Sequence, residues 1–148
     1  MLIEERSAGA VIFHSDEGHR VYLLLKNAGK LDLPKGQIEK GEDEMTAAMR
    51  ETREETGLEL TFIGGFRKVV EYFYTRPGRE RVHKFVTFFL AESKSKEVKV
   101  SSEHQGYEWL SYEEAMRKVS YRSTRILLTS AENFIRRNLI QQKIDTKY

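Results

Sequence analysis

The sequence predicts one α/β domain in which helices pack on a mixed β-sheet. Apolar runs with strand periodicity, separated by turn-forming residues, fill much of the first 110 positions, and two longer stretches favour helix. A chain of 148 residues is long enough for one ordinary domain and too short for two. We therefore expect residues 1–148 to form a single domain around one core.

The first half of the chain predicts a hairpin, a loop and a helix. Residues 7–13 and 21–25 have strand character, and a polar turn at 15–18 joins them. A loop rich in glycine spans 27–41. We expect a helix over 42–56, because this segment contains no glycine or proline and Gly57 follows where a C-cap glycine is favoured.

The second half predicts a long hairpin, a short strand and two helices. Extended segments at 58–63 and 66–75 precede a turn at 76–79 and a strand at 82–90. A short strand at 107–110 leads into a capping box between Ser111 and Glu114. We expect Ser123 to cap a last helix that lays an apolar stripe on the sheet, and we expect the polar tail, 141–148, to fray.

Composition narrows the class of protein. With 39% hydrophobic and 32% charged residues, the chain is typical of globular proteins with a charged surface. The lack of cysteine excludes disulfides, thiolate metal sites and cysteine nucleophiles, so any metal must be held by oxygen or imidazole. We expect no membrane span and a cytoplasmic protein, since apolar runs are short and the first residues lack signal-peptide character. The net charge of +2 does not indicate a nucleic-acid partner.

The helix predicted at 42–56 places three carboxylates on one face. Glu51, Glu54 and Glu55 fall within an arc of roughly 100° at 3.6 residues per turn. Like charges at these spacings cost a few tenths of a kcal/mol per pair. One interpretation is a solvated acidic helix in which Arg50 and Arg53 form surface ion pairs. The other is a site for Mg²⁺ or Mn²⁺, which prefer oxygen ligands.

The wider spacing resembles the Nudix box. That signature is Gly, five residues, Glu, seven residues, Arg-Glu, an aliphatic residue, any residue, Glu-Glu, any residue, Gly and an aliphatic residue. The one departure here is Thr52 at an aliphatic position, where a β-branched side chain still packs. The seven fixed positions all match, and they are Gly36, Glu42, Arg50, Glu51, Glu54, Glu55 and Gly57.

The resemblance to Nudix hydrolases implies an α/β/α sandwich around a mixed sheet and metal-dependent hydrolysis of a diphosphate linkage. It implies that Glu54 and Glu55 bind Mg²⁺ or Mn²⁺, that Glu51 is a further ligand or the general base, and that Arg50 orients the glutamates. Gly36 lets the backbone approach the cations, and the resemblance makes a backbone carbonyl of the Lys35-Gly36 region a candidate for an additional metal ligand. Glu42 has the role of a brace.

A second resemblance lies outside the box. Residues 102–110 are similar to a segment of asymmetrical diadenosine tetraphosphate hydrolases, in which a glutamate before the last strand joins the metal site. This resemblance makes Glu103 a candidate metal ligand and an alternative to Glu51 as the base. His104 is a candidate substrate contact. An ordinary loop carboxylate remains the alternative interpretation of Glu103.

The basic hairpin at 67–84 supplies further candidates for substrate binding. Tyr72 and Tyr74 alternate along one strand, so both rings should face one side, where they can stack on adenine or pack as ordinary half-buried residues. Lys84 aligns with a phosphate-binding lysine of the same subgroup. Lys35, beside the box, is the best-placed further cation. Leu31 stands near a position where the subgroup commonly has a stacking tryptophan.

Three functions remain open at this stage. The first is hydrolysis of a dinucleoside polyphosphate, chiefly diadenosine tetraphosphate to ATP and AMP. The second is another Nudix activity, on ADP-ribose, nucleoside triphosphates, diphosphoinositol polyphosphates or RNA 5′ ends. The third is a non-catalytic module that binds nucleotide, against which the complete set of carboxylates argues. The partner we expect is a small-molecule dinucleoside polyphosphate or nucleotide, and we expect neither a membrane nor a nucleic-acid partner.

Overall fold

The computed structural model describes residues 2–102 and 104–147, with side chains up to residue 139. Within these residues, seven strands and three helices follow one another along the chain. The strands are β1 Leu2–Asp16, β2 His19–Asn27, β3 Lys30–Asp32, β4 Lys35–Gln37, β5 Leu60–Thr75, β6 Arg81–Ser93 and β7 Gly106–Ser111, and the helices are α1 Glu44–Thr56, α2 Tyr112–Lys118 and α3 Arg122–Lys147.

The sheet is mixed, as the sequence predicts. Its main path runs β3-β2-β1-β6-β5, with β4 paired to β1 and β7 paired to β2. The central β1 and β6 strands are parallel, whereas the other pairs are antiparallel. Strands β5 and β6 form a long antiparallel hairpin, so the turn predicted at 76–79 is confirmed.

Alternation along β1 assigns its residues to the two faces of the sheet. Val11 and Phe13 belong to the core cluster that also contains Leu127 of α3. Ala8 faces the other way and packs with Ala47 of α1. Helices therefore cover both faces, which confirms the layered α/β arrangement that the resemblance implies.

Helix α1 begins two residues later than the sequence predicts. Asp43 is its N-cap, and its Oδ1 accepts a hydrogen bond from the Thr46 amide at 2.7 Å. A cap residue lies outside the helix proper, so Glu42 stays in the preceding loop. The predicted C-cap is confirmed: Gly57 has a φ of 69°, and its amide donates to the Arg53 carbonyl at 2.8 Å.

Two further predicted boundaries are wrong, one within β5 and one at the start of α3. The segments at 58–63 and 66–75 belong to one strand, β5, with an irregular register between Ile63 and Lys68. Ser123 is not the cap of α3, because the helix already begins at Arg122 and the Arg125 amide donates to the Tyr121 carbonyl at 3.2 Å. The tail is helical through Lys147, since nothing in the sequence of residues 141–147 breaks a helix. The rest of the tail, residue 148, lies outside the described residues.

The predicted capping box at the start of α2 is confirmed. The Ser111 Oγ accepts from the Glu114 amide at 3.2 Å, and the Glu114 Oε1 accepts from the Ser111 amide at 3.0 Å. This reciprocal pair fixes the direction in which the chain leaves β7. None of the helices among the described residues is long and apolar enough to cross a membrane.

A buried ion-pair network fixes α3 over the sheet. Glu132 is 4% exposed and accepts from Arg20 at 3.0 and 2.8 Å, from the Tyr22 hydroxyl at 2.6 Å and from Arg136 at 2.6 Å. Burial raises the pKa of this carboxyl, but the hydrogen bonds from Arg20, Tyr22 and Arg136 outweigh burial and lower the pKa to about 2. The network ties this part of α3 to β2.

Candidate active site

Arg50 ties the loop before α1 to the carboxylates of the helix. Its Nε and Nη2 donate to the Glu42 carboxylate at 2.7 and 2.9 Å. Its Nη1 donates to Glu51 at 2.8 Å and to Glu54 at 3.3 Å. Arg50 and the backbone amide of Glu39 lower the pKa of Glu42 to about 2. This geometry agrees with an orienting role for Arg50 and with Glu42 as its brace.

Gly36 is the point of closest approach between β4 and α1. A Cβ added there would lie 2.0 Å from the Cδ and Oε2 of Glu51. Gly9 on the neighbouring strand is equally constrained, because a Cβ there would lie 2.1 Å from the Pro34 carbonyl oxygen. Two glycines thus allow the loop at 34–37 to lie against both β1 and the carboxylate face of α1.

The three box carboxylates differ in exposure. The side chains of Glu51 and Glu54 are 16% and 58% exposed, and Glu55 is buried at 6%. Within the described part of the chain, no three His, Cys, Asp or Glu side chains converge as a metal site. Arg50 Nη1 holds one oxygen each of Glu51 and Glu54, and each carboxylate has a second oxygen with which it can bind a cation.

The chemistry of this donor set fits a hard divalent cation. Carboxylate oxygens are the ligands that Mg²⁺ and Mn²⁺ prefer, and one helix presents all three. The Glu51 carboxylate occupies the space that a side chain at position 36 would need, so glycine there brings the backbone directly beside this carboxylate. Glu51, Glu54 and Glu55 are therefore the described residues suited to hold such an ion.

The loop that follows β6 lies along the C-terminal end of α1. The Lys99 amide donates to the Thr56 carbonyl at 2.8 Å, and the Ser101 amide donates to the Glu55 carbonyl at 3.3 Å. His104 closes a turn on Ser101 through its own amide at 3.1 Å. Glu103 lies outside the described residues, so its role stays a prediction.

Two adjoining cavities run from the box to the hairpin. A cavity of about 400 Å³ is lined by Glu55, His104 and Lys35, among others. A second cavity of about 520 Å³ has Tyr72 at its wall. Asp32, Lys35 and Tyr121 line both cavities, so the two adjoin at these residues, and together we call them the cleft. The remaining apolar lining of its second half comes from Val70, Val86, Phe88 and Leu127.

Sequence reasoning missed Tyr121 and Asp32. Tyr121 is 42% exposed and lines the larger cavity together with Tyr72, and the Lys30 ammonium lies 5.4 Å from its ring centre. Asp32 accepts from the Thr124 hydroxyl at 2.9 Å, which joins β3 to α3. Neither residue lies in a periodic pattern or a motif, so only the fold reveals them. Leu31 is buried at 6% in the core.

The hairpin residues share a face, as alternation predicts, but they do not all reach the cleft. The rings of Tyr72 and Tyr74 are 6.2 Å apart between centres. Tyr72 lines the cleft, whereas Tyr74 is not among the described residues that line it and its hydroxyl donates to Glu5. Lys84 pairs with Tyr72 in register, and its Nζ lies 3.4 Å from the Glu5 carboxylate. The substrate-binding roles of these three residues remain proposals.

The sequence profile of the NUDIX domain family matches residues 4–129. That match covers the sheet, the box helix and the first turns of α3. The chain therefore belongs to the Nudix family and is a Nudix hydrolase.

Relatives within the family bear a more specific name. The chain is 35% identical over 144 residues to an asymmetrical bis(5′-nucleosyl)-tetraphosphatase of Mus musculus, covering 88% of this chain and 95% of that protein. It is 38% identical over 145 residues to the protein of the same name from Sus scrofa, with the same coverage of 88% and 95%. A crystal structure of a C. elegans Ap4A hydrolase binary complex superimposes with a TM-score of 0.77 at 31% identity, covering 88% of this chain and 97% of that one.

Proposed function

We propose that this Nudix hydrolase cleaves dinucleoside polyphosphates, and that diadenosine tetraphosphate is split to ATP and AMP. The observation that carries the proposal is the cleft, whose two adjoining cavities bring Glu55 of the box helix and an aromatic wall to neighbouring positions. A substrate with a polyphosphate beside a base requires both parts. The names of the mouse, pig and nematode relatives support the same choice.

The carboxylates of α1 form the hydrolytic end of the proposed site. Glu54, Glu55 and Glu51 hold the cation, with Glu103 as a further ligand. Bound there, Mg²⁺ or Mn²⁺ supplies Lewis acidity toward the phosphate and a water of lowered pKa. Either Glu51 or Glu103 takes the proton of that water. Arg50 keeps Glu51 and Glu54 oriented, at 2.8 and 3.3 Å from its Nη1.

Lys35 and His104 form the middle of the proposed site and hold phosphates. Lys35 lines both halves of the cleft, so its ammonium can neutralise a phosphate wherever the chain of phosphates turns from the metal to the base. His104 faces the same half of the cleft as Glu55. It is held there by its turn on Ser101, in which the His104 Nδ1 and the Ser101 Oγ are 3.1 Å apart.

The aromatic end of the cleft is suited to an adenine. Tyr72 and Tyr121 lie on its wall, and Val86, Phe88 and Leu127 contribute apolar surface beneath. Stacking of a base on an aromatic ring contributes about 1–3 kcal/mol. Tyr121 comes from the segment between α2 and α3, so it supplies an aromatic wall that the sequence motif alone does not provide.

Product analysis in ¹⁸O-labelled water tests this proposal. The panel is diadenosine tri-, tetra- and pentaphosphate, ADP-ribose, nucleoside triphosphates and 5′-triphosphorylated RNA, each with Mg²⁺ and with Mn²⁺. We expect the highest kcat/KM for diadenosine tetraphosphate and a product pair of ATP and AMP. Two molecules of ADP as products, or a higher kcat/KM for any single-base substrate, would refute the proposed substrate while leaving the family assignment intact.

A further inference from the structure

Three hydrogen-bond donors converge on Glu5, a residue of β1 for which neither the box nor the proposed reaction has a use. The Tyr74 hydroxyl donates to its Oε1, and Arg76 Nη2 donates to the same oxygen at 2.7 Å. Lys84 Nζ donates to Oε2 at 3.4 Å. The Glu5 side chain is only 11% exposed, so this carboxylate is largely enclosed by its donors.

The cluster lies beside the aromatic end of the cleft. Glu5 is in register with Lys84, and Lys84 is in register with Tyr72, so the three lie across neighbouring strands β1, β6 and β5. Lys84 shares its face of β6 with Val86, two residues on, which lines the cleft. Burial is the main cause that lowers the pKa of Lys84, and the nearby charge of Lys35 lowers it further. The cluster therefore adjoins the aromatic end of the cleft, next to Tyr72.

A phenol, a guanidinium and an ammonium are also the donors with which proteins bind phosphate. Here they hold a carboxylate of the same chain in the way that they would hold a bound anion. The hydrogen bond from Tyr74 is the largest cause of a lowered pKa for Glu5, so the carboxylate stays ionised at neutral pH. The positive charge of Lys84 and Arg76 is thus already partly compensated before any substrate enters.

We propose that Glu5 is a resident anion that neutralises part of the basic cluster beside the aromatic end of the cleft and so sets how many phosphates the site accepts. This inference rests on the proposed function in one respect, namely that the cleft binds a polyphosphate chain. A phosphate that extends beyond Tyr72 meets a partly compensated cluster and a fixed negative charge. Without that charge, Lys84, Arg76 and the Tyr74 hydroxyl form an anion site next to the cleft.

Glu5→Gln is the test variant, because glutamine keeps the shape of the side chain and still accepts a hydrogen bond from Tyr74. The matched control is Glu4→Gln. It makes the same change in net charge at the adjacent residue, whose side chain is 57% exposed, pairs with Arg6 and lies on the opposite face of β1. The probe is inorganic tripolyphosphate, titrated calorimetrically at low ionic strength in excess chelator, so that no turnover is required.

We expect Glu5→Gln to bind tripolyphosphate at least tenfold more tightly than the parent protein, and Glu4→Gln to stay within twofold. Adding Tyr74→Phe to Glu5→Gln should reduce the gain in tripolyphosphate affinity, because the hydrogen-bond donor of Tyr74 is lost. Equal or weaker binding by Glu5→Gln would overturn the inference, and so would a lowered Tm with no change in Kd, which marks a purely structural carboxylate.

A fallback variant keeps the inference testable if Glu5→Gln does not fold. Glu5→Asp retains the charge but withdraws it from Lys84, so we expect a smaller gain in tripolyphosphate affinity, and no gain would again overturn the inference. The outcome is separable from that of the substrate panel. A gain in tripolyphosphate binding together with a different preferred substrate would leave Glu5 as the resident anion and remove only the dinucleoside assignment.

Discussion

Gly36→Ala tests whether the close approach of β4 to α1 positions Glu51 for chemistry. The added Cβ would lie 2.0 Å from the Glu51 Cδ and Oε2 and 2.5 Å from Oε1. Favourable contacts between carbon atoms are about 3.5–4.0 Å, so the carboxylate has to move by roughly 1.5 Å. The atoms that must move are the end of a flexible side chain, so we expect a stability loss of only about 1 kcal/mol.

Activity should suffer far more than stability in this variant. A displacement of about 1 Å at a reacting group can cost about 10²-fold in rate, which corresponds to about 2.7 kcal/mol in the activation barrier. The assay is kcat at saturating substrate and Mg²⁺ or Mn²⁺, with Tm measured on the same samples. We expect kcat to fall about a hundredfold while Tm changes by a few degrees.

Alanine substitutions at Gly64 and Gly9 serve as controls for Gly36→Ala. Among the described residues, a Cβ on Gly64 meets nothing within 4 Å, so Gly64→Ala should leave kcat unchanged. Gly9→Ala places its Cβ 2.1 Å from the Pro34 carbonyl oxygen, a backbone atom that cannot move alone, and should lower Tm strongly. If Gly36→Ala kept the parent kcat, or lost Tm as Gly9→Ala does, the argument for Glu51 would be refuted.

Three further outcomes follow from the same geometry. Glu55→Gln should reduce kcat at least a hundredfold and raise the Mn²⁺ concentration needed for half-maximal rate, because a ligand charge is lost; unchanged metal titration curves would count against it as a ligand. Lys35→Ala should raise KM more for substrates with more phosphates, and equal changes across diadenosine tri-, tetra- and pentaphosphate would argue against phosphate contact. Glu132→Gln should lower the free energy of unfolding at pH 7 and reduce the loss of that free energy in acid. The pKa of Glu132 is about 2 in the folded state and about 4.3 in the unfolded state, so the stabilisation present above pH 4.3 is lost as the pH falls toward 2. Chemical denaturation at several pH values measures this, and parallel curves for the parent and the variant would contradict it.

The sequence predicts the box helix and its surroundings well because local chemistry determines them. The C-cap at Gly57, the capping box at Ser111 and the turn at 76–79 all depend on residues within a few positions of each other. Boundaries set by tertiary contacts were predicted less well. The first turn of α3 is fixed by Thr124, whose hydroxyl donates to Asp32 at 2.9 Å across the fold, and no local signal reports that bond.

The sequence likewise predicts the residues of the candidate site that belong to a local motif and misses those that depend on the fold. Gly36, Arg50 and Glu51 follow from the spacing of the box, and the structure brings them together. The wall formed by Tyr121 depends on where the segment between α2 and α3 crosses the sheet, which sequence alone does not show. The enclosure of Glu5 likewise requires three neighbouring strands in register.

The ratio of kcat/KM for diadenosine tetraphosphate to kcat/KM for base-free tripolyphosphate tests the central claim, that the cleft couples a hydrolytic box to an adenine site. The ratio is measured for the parent, Tyr72→Ala, Tyr121→Ala and the ring-preserving control Tyr72→Phe. We expect it to fall by about 5- to 150-fold in each alanine variant, the equivalent of about 1–3 kcal/mol of stacking, and to stay nearly constant in the phenylalanine variant. An unchanged ratio in both alanine variants, even with lowered Tm, would contradict the account and leave the aromatic cavity as packing.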